Sequence, residues 1–190
     1  MEQIYIQQKT FDKIDFKEKF LKKGEYEVCN FINCDFSNTD LSEIIFTDCE
    51  FIGCNLSLAK LTKTAFRECK FKDSKMIGLN FENCNEFGLS FVFENCSLNH
   101  SSFYKTKIKK TIFKNSQLQE TDLTECDLTS SSFDNCDLMR AIFDNTIIEK
   151  VDFQTSFNYS FDPEINRIKK SKFSLSGVKG LLSKYDIIID

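Results

Sequence analysis

Nine cysteines are the residues of this sequence best able to do chemistry, because thiolates bind metal ions and act as nucleophiles. All nine fall at one position of a five-residue pattern, at which serine, threonine and alanine also occur. A free cysteine behaves as a small buried apolar residue, so position alone accounts for each thiol. Since a single histidine is present to complete a metal site, we predict reduced structural cysteines, no metal and no cofactor.

The histidine and the carboxylates give no stronger indication of catalysis. His100 stands in the segment Asn99-His100-Ser101-Ser102, which is typical of a solvated turn rather than of a general base. Asp and Glu are spread along the chain without an evident pocket to perturb them. The sequence contains no glycine-rich nucleotide loop, no HExxH and no GxSxG. We predict a protein that is not an enzyme, with no catalytic residues and no small-molecule substrate.

The elements that position these residues follow from a period of five. Large apolar residues occupy every fifth position from Tyr26 to Phe81 and, displaced by two residues, from Phe93 to Phe153. A smaller residue, most often Cys, Ser, Thr or Ala, stands two positions before most of them. Charged, amide and hydroxyl side chains dominate the remaining positions. An internal repeat of this kind is typical of a solenoid.

A period of five fits neither a straight helix nor a straight strand. An α-helix turns about 100° per residue, so successive large residues would be roughly 140° apart around its axis. In a strand, alternate residues face opposite sides, and an odd period would send successive large residues to opposite faces. Both sets of inward residues share one axis only if the chain turns after each unit. The pattern therefore predicts a wound coil.

The repeat resembles the pentapeptide-repeat family over roughly residues 26–158. Its units centre on a large Leu or Phe, with a small residue two positions earlier and often Asp or Asn between them. Representative units are Cys34-Asp35-Phe36, Thr121-Asp122-Leu123, Cys126-Asp127-Leu128 and Cys136-Asp137-Leu138. The resemblance implies an all-β solenoid, a right-handed quadrilateral parallel β-helix with four units per coil. We expect about six to eight coils, about 4.8 Å apart.

Coils of this length predict columns of side chains inside the solenoid. Three columns are expected, one of Phe31, Phe51, Phe71 and Phe91, one of Phe93, Phe113, Phe133 and Phe153, and one of Leu98, Leu118 and Leu138.

Three parts are predicted along the chain. Residues 1–25 form an N-terminal cap and first partial coil, residues 26–160 the repeat β-helix, and residues 161–190 a C-terminal cap with a dimerisation helix and strand.

The register slips near residues 85–92, where Glu86 takes the place of a large apolar residue. We expect a bulge in which Phe87 turns inward and Glu86 outward. The slip is interpreted as a structural irregularity or, alternatively, as a partner-contact bulge formed by Glu86 and Phe87.

The C-terminal tail has a different composition. Asp162-Pro163 predicts a helix or turn start, Ser174 caps a short helix to about Lys184, and residues 186–190 form a strand. The tail resembles the ending of Qnr-like pentapeptide-repeat proteins, which pairs two subunits. The resemblance implies a homodimer, and the alternative is a cap folded on its own last coil. The candidate interface residues are Val178, Leu181, Leu182, Ile187, Ile188 and Ile189.

Charge patterning bears on the choice of partner. The net charge is −4, and outward residues twenty positions apart often carry opposite charges, as in Asp40 and Lys60 or Lys105 and Glu125. Such pairs interrupt any continuous acidic row. Basic clusters at residues 105–114 and 167–172 are interpreted as solvated faces, with no direct nucleic-acid binding.

The sequence thus predicts a non-catalytic protein-interaction solenoid. The resemblance to Qnr and MfpA proteins implies binding to a type II topoisomerase, DNA gyrase or topoisomerase IV, by mimicry of DNA, with protection against quinolones. The alternative is a scaffold for an unrelated protein partner. No apolar run reaches the roughly 18 residues of a membrane span, and Met1-Glu2-Gln3 does not begin a signal peptide. We therefore expect a cytoplasmic protein without membrane contact.

Overall fold

Parallel pairing between segments about twenty residues apart builds the protein. The computed structural model describes residues 4–185 and 187–188. The chain winds into a right-handed quadrilateral parallel β-helix of about 7 turns, which confirms the predicted fold class. The strands are β1 (Ile4–Gln7), β2 (Thr10–Asp12), β3 (Gly24–Glu27), β4 (Asn30–Ile32), β5 (Ile45–Thr47), β6 (Glu50–Ile52), β7 (Ala65–Arg67), β8 (Cys69–Lys72), β9 (Phe91–Glu94), β10 (Ile112–Lys114) and β11 (Ser132–Asp134).

These strands form two of the four faces. One sheet has the order β1-β3-β5-β7, and the other has β2-β4-β6-β8-β9-β10-β11. Strand partners are twenty residues apart, as in Phe31 and Phe51, except where β8 meets β9 and Phe71 pairs with Phe93. Isolated parallel bridges, such as that between Asp40 and Lys60, hold further coils together. The two-residue slip therefore lengthens one coil without breaking the longer sheet.

The corners explain why Asp or Asn so often precedes the large residue. Asp35 Oδ1 accepts a hydrogen bond from the Ser37 N–H at 2.8 Å, and Asp122 Oδ1 does the same for Thr124 at 2.9 Å. Such a bond satisfies a backbone donor where the chain turns. The residue that follows at the corner is left-handed, with φ of 57° at Asn38. Where Asp or Asn stands before the buried residue, its side chain thus helps to form the corner locally.

A continuous stack of phenylalanine rings runs through the core. Adjacent ring centroids are 4.6–5.4 Å apart and nearly parallel. The stack contains Phe11, Phe31, Phe51, Phe71, Phe93, Phe113, Phe133, Phe153 and Phe173. The two phenylalanine columns expected from the sequence are therefore one column, and Phe91 is not in it. The expectation was wrong because the longer coil brings Phe93, rather than Phe91, over Phe71.

Phe91 instead fills the interior of the coil at the register slip. It pairs with Cys69, so it occupies the position normally taken by a small residue. Its buried ring lies 5.9 Å from Phe66 and 5.3 Å from Phe81, between two faces of the coil. It fills the space that Glu86 leaves without a large side chain.

The third expected column is supported by its backbone pairing. Leu98, Leu118 and Leu138 are fully buried. The residues that precede them, Ser97, Gln117 and Asp137, form consecutive parallel bridges.

The tail differs from the expected helix and strand. Asp162-Pro163 begins a turn, with Asp162 Oδ1 accepting from the Glu164 N–H at 2.8 Å. Two 3₁₀ helices, Val178–Leu181 and Ser183–Tyr185, replace a continuous helix, and a third lies at Phe81–Asn83.

The tail's path is set by close packing on Tyr159. A Cβ atom at Gly180 would lie 2.0 Å from the Tyr159 carbonyl oxygen, so only glycine allows this approach.

The predicted terminal strand is only partly covered by the structure. Ile187 and Ile188 lie in no strand, and Asp186, Ile189 and Asp190 are outside the described residues, as are Met1–Gln3 of the predicted N-terminal cap. Within residues 4–185 and 187–188, no helix is long and apolar enough to cross a membrane.

Candidate interaction surfaces

The cysteines lie where hydroxyl residues also serve. The Cys49 thiol donates to the Tyr26 carbonyl oxygen at 3.3 Å, and the Thr121 hydroxyl donates to that of Leu98 at 3.1 Å. In both cases the acceptor lies 23 residues earlier, on the preceding coil. A thiol or a hydroxyl at the small inward position can therefore donate to the preceding coil.

Burial makes Cys126 and Cys136 poor nucleophiles. It raises the pKa of Cys126 and Cys136 to about 12, because a thiolate there would lose its hydration. The cysteines are unpaired, and all but Cys84 are buried. The described part of the chain contains no cluster of three or more residues able to hold a metal ion.

His100 lies at an exposed left-handed corner, with φ of 58°. Its Nδ1 is 3.3 Å from Glu120 Oε2, and Arg140 reaches the other oxygen of that carboxylate at 3.4 Å. The three residues form a row across consecutive coils. The geometry is that of surface charge pairing.

The bulge at the register slip presents an aromatic side chain to solvent. Phe87 is 76% exposed, so the expected inward turn was wrong; Glu86 is exposed, as expected. Phe87 is kept out because Phe91 already fills the interior. The Asn85 side chain accepts from the Phe87 N–H at 3.0 Å, and Gly88 follows with φ of +74°.

The Phe87 ring also makes a cation–π contact with Arg67. The Arg67 guanidinium carbon lies 5.7 Å from the centroid of its ring. This contact holds the ring against the wall of the solenoid. We call Glu86 and Phe87 the bulge.

The predicted tail residues divide into two groups. Leu181 is buried against the last coil and Leu182 is half-buried, so both help to cover the end of their own solenoid. Val178 and Ile187 are exposed, and Ile188 is 92% exposed. Ile189 lies outside the described residues.

Further exposed apolar side chains lie on the last coils, and our sequence analysis missed them. Ile142 forms a bridge with Asp122, and Phe157 forms one with Asp137. Ile142 stands directly before the buried Phe143, where Asp or Asn is usual, and that substitution is a signal that could have found it. Phe157 is followed by the exposed Asn158. The C-terminal patch, as we define it, contains Met139, Ile142, Phe157, Ile165, Leu175, Val178, Tyr185, Ile187 and Ile188.

Ion pairs link neighbouring coils over much of the remaining surface. The predicted pairs form, with Lys60 3.4 Å from Asp40 and Lys105 3.5 Å from Glu125. Lys70 also lies 2.9 Å from Glu50. Exposed pairs of this kind add little stability, but they neutralise the rows in which they occur.

The filled interior, the left-handed corners and the twenty-residue register define a solenoid built from five-residue units. A family profile for the pentapeptide repeat region matches residues 24–92 and 90–157. The chain belongs to the pentapeptide-repeat family.

Solved structures share this fold at low sequence identity. QnrB1, described as a plasmid-mediated fluoroquinolone resistance protein, is 16% identical in a trypsin-treated form, with a TM-score of 0.64 over 99% of this chain and 98% of that one. HetL of the cyanobacterium Nostoc sp. strain PCC 7120, a pentapeptide repeat protein involved in heterocyst differentiation regulation, is 13% identical. Its TM-score is 0.66 over 92% of this chain and 88% of that one. Comparison with curated protein sequences gives no match.

Proposed function

We propose that this protein is a non-catalytic interaction solenoid that acts in the cytoplasm. The observation that supports the proposal is the contrast between an interior filled by side chains and a surface that exposes large apolar side chains. Phenylalanine rings close the core, whereas Phe87 and the C-terminal patch expose large apolar side chains. An exposed apolar group on a rigid support is typical of a contact with another protein.

A type II topoisomerase, DNA gyrase or topoisomerase IV, is the first partner we propose, with protection against quinolones as the outcome. Its support is the family resemblance and the fold shared with QnrB1. A mimic of DNA needs uncompensated negative charge along its length. The pairs at Asp40 and Glu50 remove part of that charge, so the bulge, rather than an acidic row, is the contact we favour.

A supercoiling assay with and without ciprofloxacin tests this partner. The unchanged protein should restore supercoiling by drug-inhibited gyrase, and Phe87→Ala should reduce that protection. Ile112→Ala is the matched control, since Ile112 is an exposed apolar residue on β10 and belongs neither to the bulge nor to the C-terminal patch. No effect of the unchanged protein across a full titration would reject the topoisomerase.

The alternative is a scaffold for an unrelated protein, which the neutralised acidic rows favour. Affinity purification of the tagged chain beside Phe87→Ala would identify that partner. A protein retained by the unchanged chain and lost from the variant supports this alternative, and equal recovery contradicts contact through the bulge.

We propose that the C-terminal patch pairs two copies of the chain. Ile142 and Phe157 extend the exposed apolar residues of the tail onto the solenoid wall, so a partner could cover both together. A twofold dimer is the commonest symmetric solution for such a self-complementary patch.

A further inference from the structure

One corner of the later coils carries lysine without compensating charge. Lys110, Lys150 and Lys170 have φ of 60–62° at this corner. The N–H groups of Lys110, Ser130 and Lys150 donate to the carbonyls of Thr129, Glu149 and Lys169 in turn, so the corner is continuous from coil to coil, with Ser130 between Lys110 and Lys150. Lys107 and Lys169 are exposed on the adjoining face. We call these five lysines the basic ridge.

Two carboxylates that lie beside the basic ridge already form ion pairs with other residues. Asp127 lies 3.0 Å from Lys109, and Glu149 lies 2.7 Å from Arg167. None of the five ridge lysines has an ion-pair partner among residues 4–185 and 187–188. The ridge therefore keeps five lysines that form no ion pair with the described residues, on a chain whose net charge is −4.

The ridge departs from the rule followed elsewhere on the surface. Neighbouring coils usually place opposite charges together, as Lys23 and Glu43 do at 2.9 Å. Lys150 and Lys170 occupy successive coils of one corner and carry the same charge. Like charges facing one another across strands oppose folding. A partner's negative charge would relieve this repulsion.

We infer that the basic ridge binds an acidic polypeptide segment. From Lys110 to Lys170 the ridge spans three coil steps, about 14 Å, which an extended peptide covers with about four residues. The same corner carries Asp48 and Glu68 in the earlier coils. These carboxylates would repel a long polyanion such as a nucleic acid, whereas a short acidic segment fits within the ridge.

A binding measurement can test the ridge without a topoisomerase. The inference rests on the proposed interaction role, and gyrase protection with no peptide binding would reject the ridge alone. Fluorescence anisotropy of a labelled oligoglutamate peptide should show saturable binding at low salt that weakens as salt rises. The double variant Lys150→Glu, Lys170→Glu should weaken binding about tenfold or more, since two attractive contacts become repulsive.

Lys13→Glu with Lys63→Glu is the matched control. Both are exposed left-handed corner lysines, with φ of 52° and 59°, away from the ridge. This control should bind like the unchanged protein, and circular dichroism should show all three forms folded. Absence of oligoglutamate binding, an equal loss in the control, or tighter binding of oligothymidylate than of oligoglutamate would overturn the inference.

Discussion

Removing one ring from the phenylalanine stack should destabilise the whole solenoid. Phe113 is fully buried, with its centroid 5.2 Å from that of Phe93 and 4.6 Å from that of Phe133. Phe113→Ala would leave a cavity and delete two parallel ring contacts. Such truncations cost about 3–5 kcal/mol, of which each aromatic contact supplies about 0.5–1.5 kcal/mol. We expect a loss near 4 kcal/mol, a large share of the ~5–15 kcal/mol that stabilises a typical domain.

Equilibrium urea unfolding followed by far-ultraviolet circular dichroism measures this loss. Phe87→Ala is the control, because the same truncation at an exposed ring should cost less than about 1 kcal/mol, chiefly its contact with Arg67. A loss below about 1 kcal/mol for Phe113→Ala, or equal losses in the two variants, would refute the account of the core.

Three further predictions concern the corners, the thiols and the tail. Val28 is β-branched in a left-handed corner with φ of 52°, so Val28→Asn should raise the thermal midpoint and stabilise by about 1 kcal/mol; a lower midpoint contradicts corner strain. Burial raises the pKa of Cys126 to about 12, so stability should fall from about pH 9 towards pH 12, where only the unfolded thiol ionises. Cys126→Ala should make this fall shallower in urea titrations by about 1.4 kcal/mol per pH unit, and an unchanged slope opposes the assignment. If the proposed dimer forms through the C-terminal patch, Phe157→Arg should convert it to a monomer in light scattering, whereas Ile112→Arg should not. A monomeric unchanged protein, or a dimer that Phe157→Arg leaves intact, excludes the patch.

Much of the fold could be predicted because its determinants are local and periodic. The five-residue period predicts a wound coil, the family resemblance implies four units per coil, and the structure confirms this by pairing Phe31 with Phe51. The slip was visible in the sequence, but the partner of Phe71 was not. Phe91 and Phe93 are chemically identical, and the choice between them depends on how β9 packs against β8.

The exposed sites were harder to predict, because a surface position accepts many residue types and its sequence therefore says little about its structure. Phe87 is outward only because Phe91 occupies the interior, which is a consequence of packing rather than of local pattern. Leu181 was predicted at an interface, and it is buried on its own chain by the close approach of Gly180 to Tyr159. The left-handed corners accept Lys, Glu, Asn and Leu alike, so the residue type at a corner does not predict its left-handed conformation.

The uniform register makes the length of this protein a variable that changes in whole steps. Because the backbone beyond the bulge pairs after every twenty residues, one coil can be deleted between the bulge and the tail while every remaining backbone segment keeps an equivalent neighbour. Each deletion would shorten the distance between these two ends by about 4.8 Å. Adding or removing whole coils could therefore change the distance between a partner bound at the bulge and one bound at the tail, while both contacts stay the same.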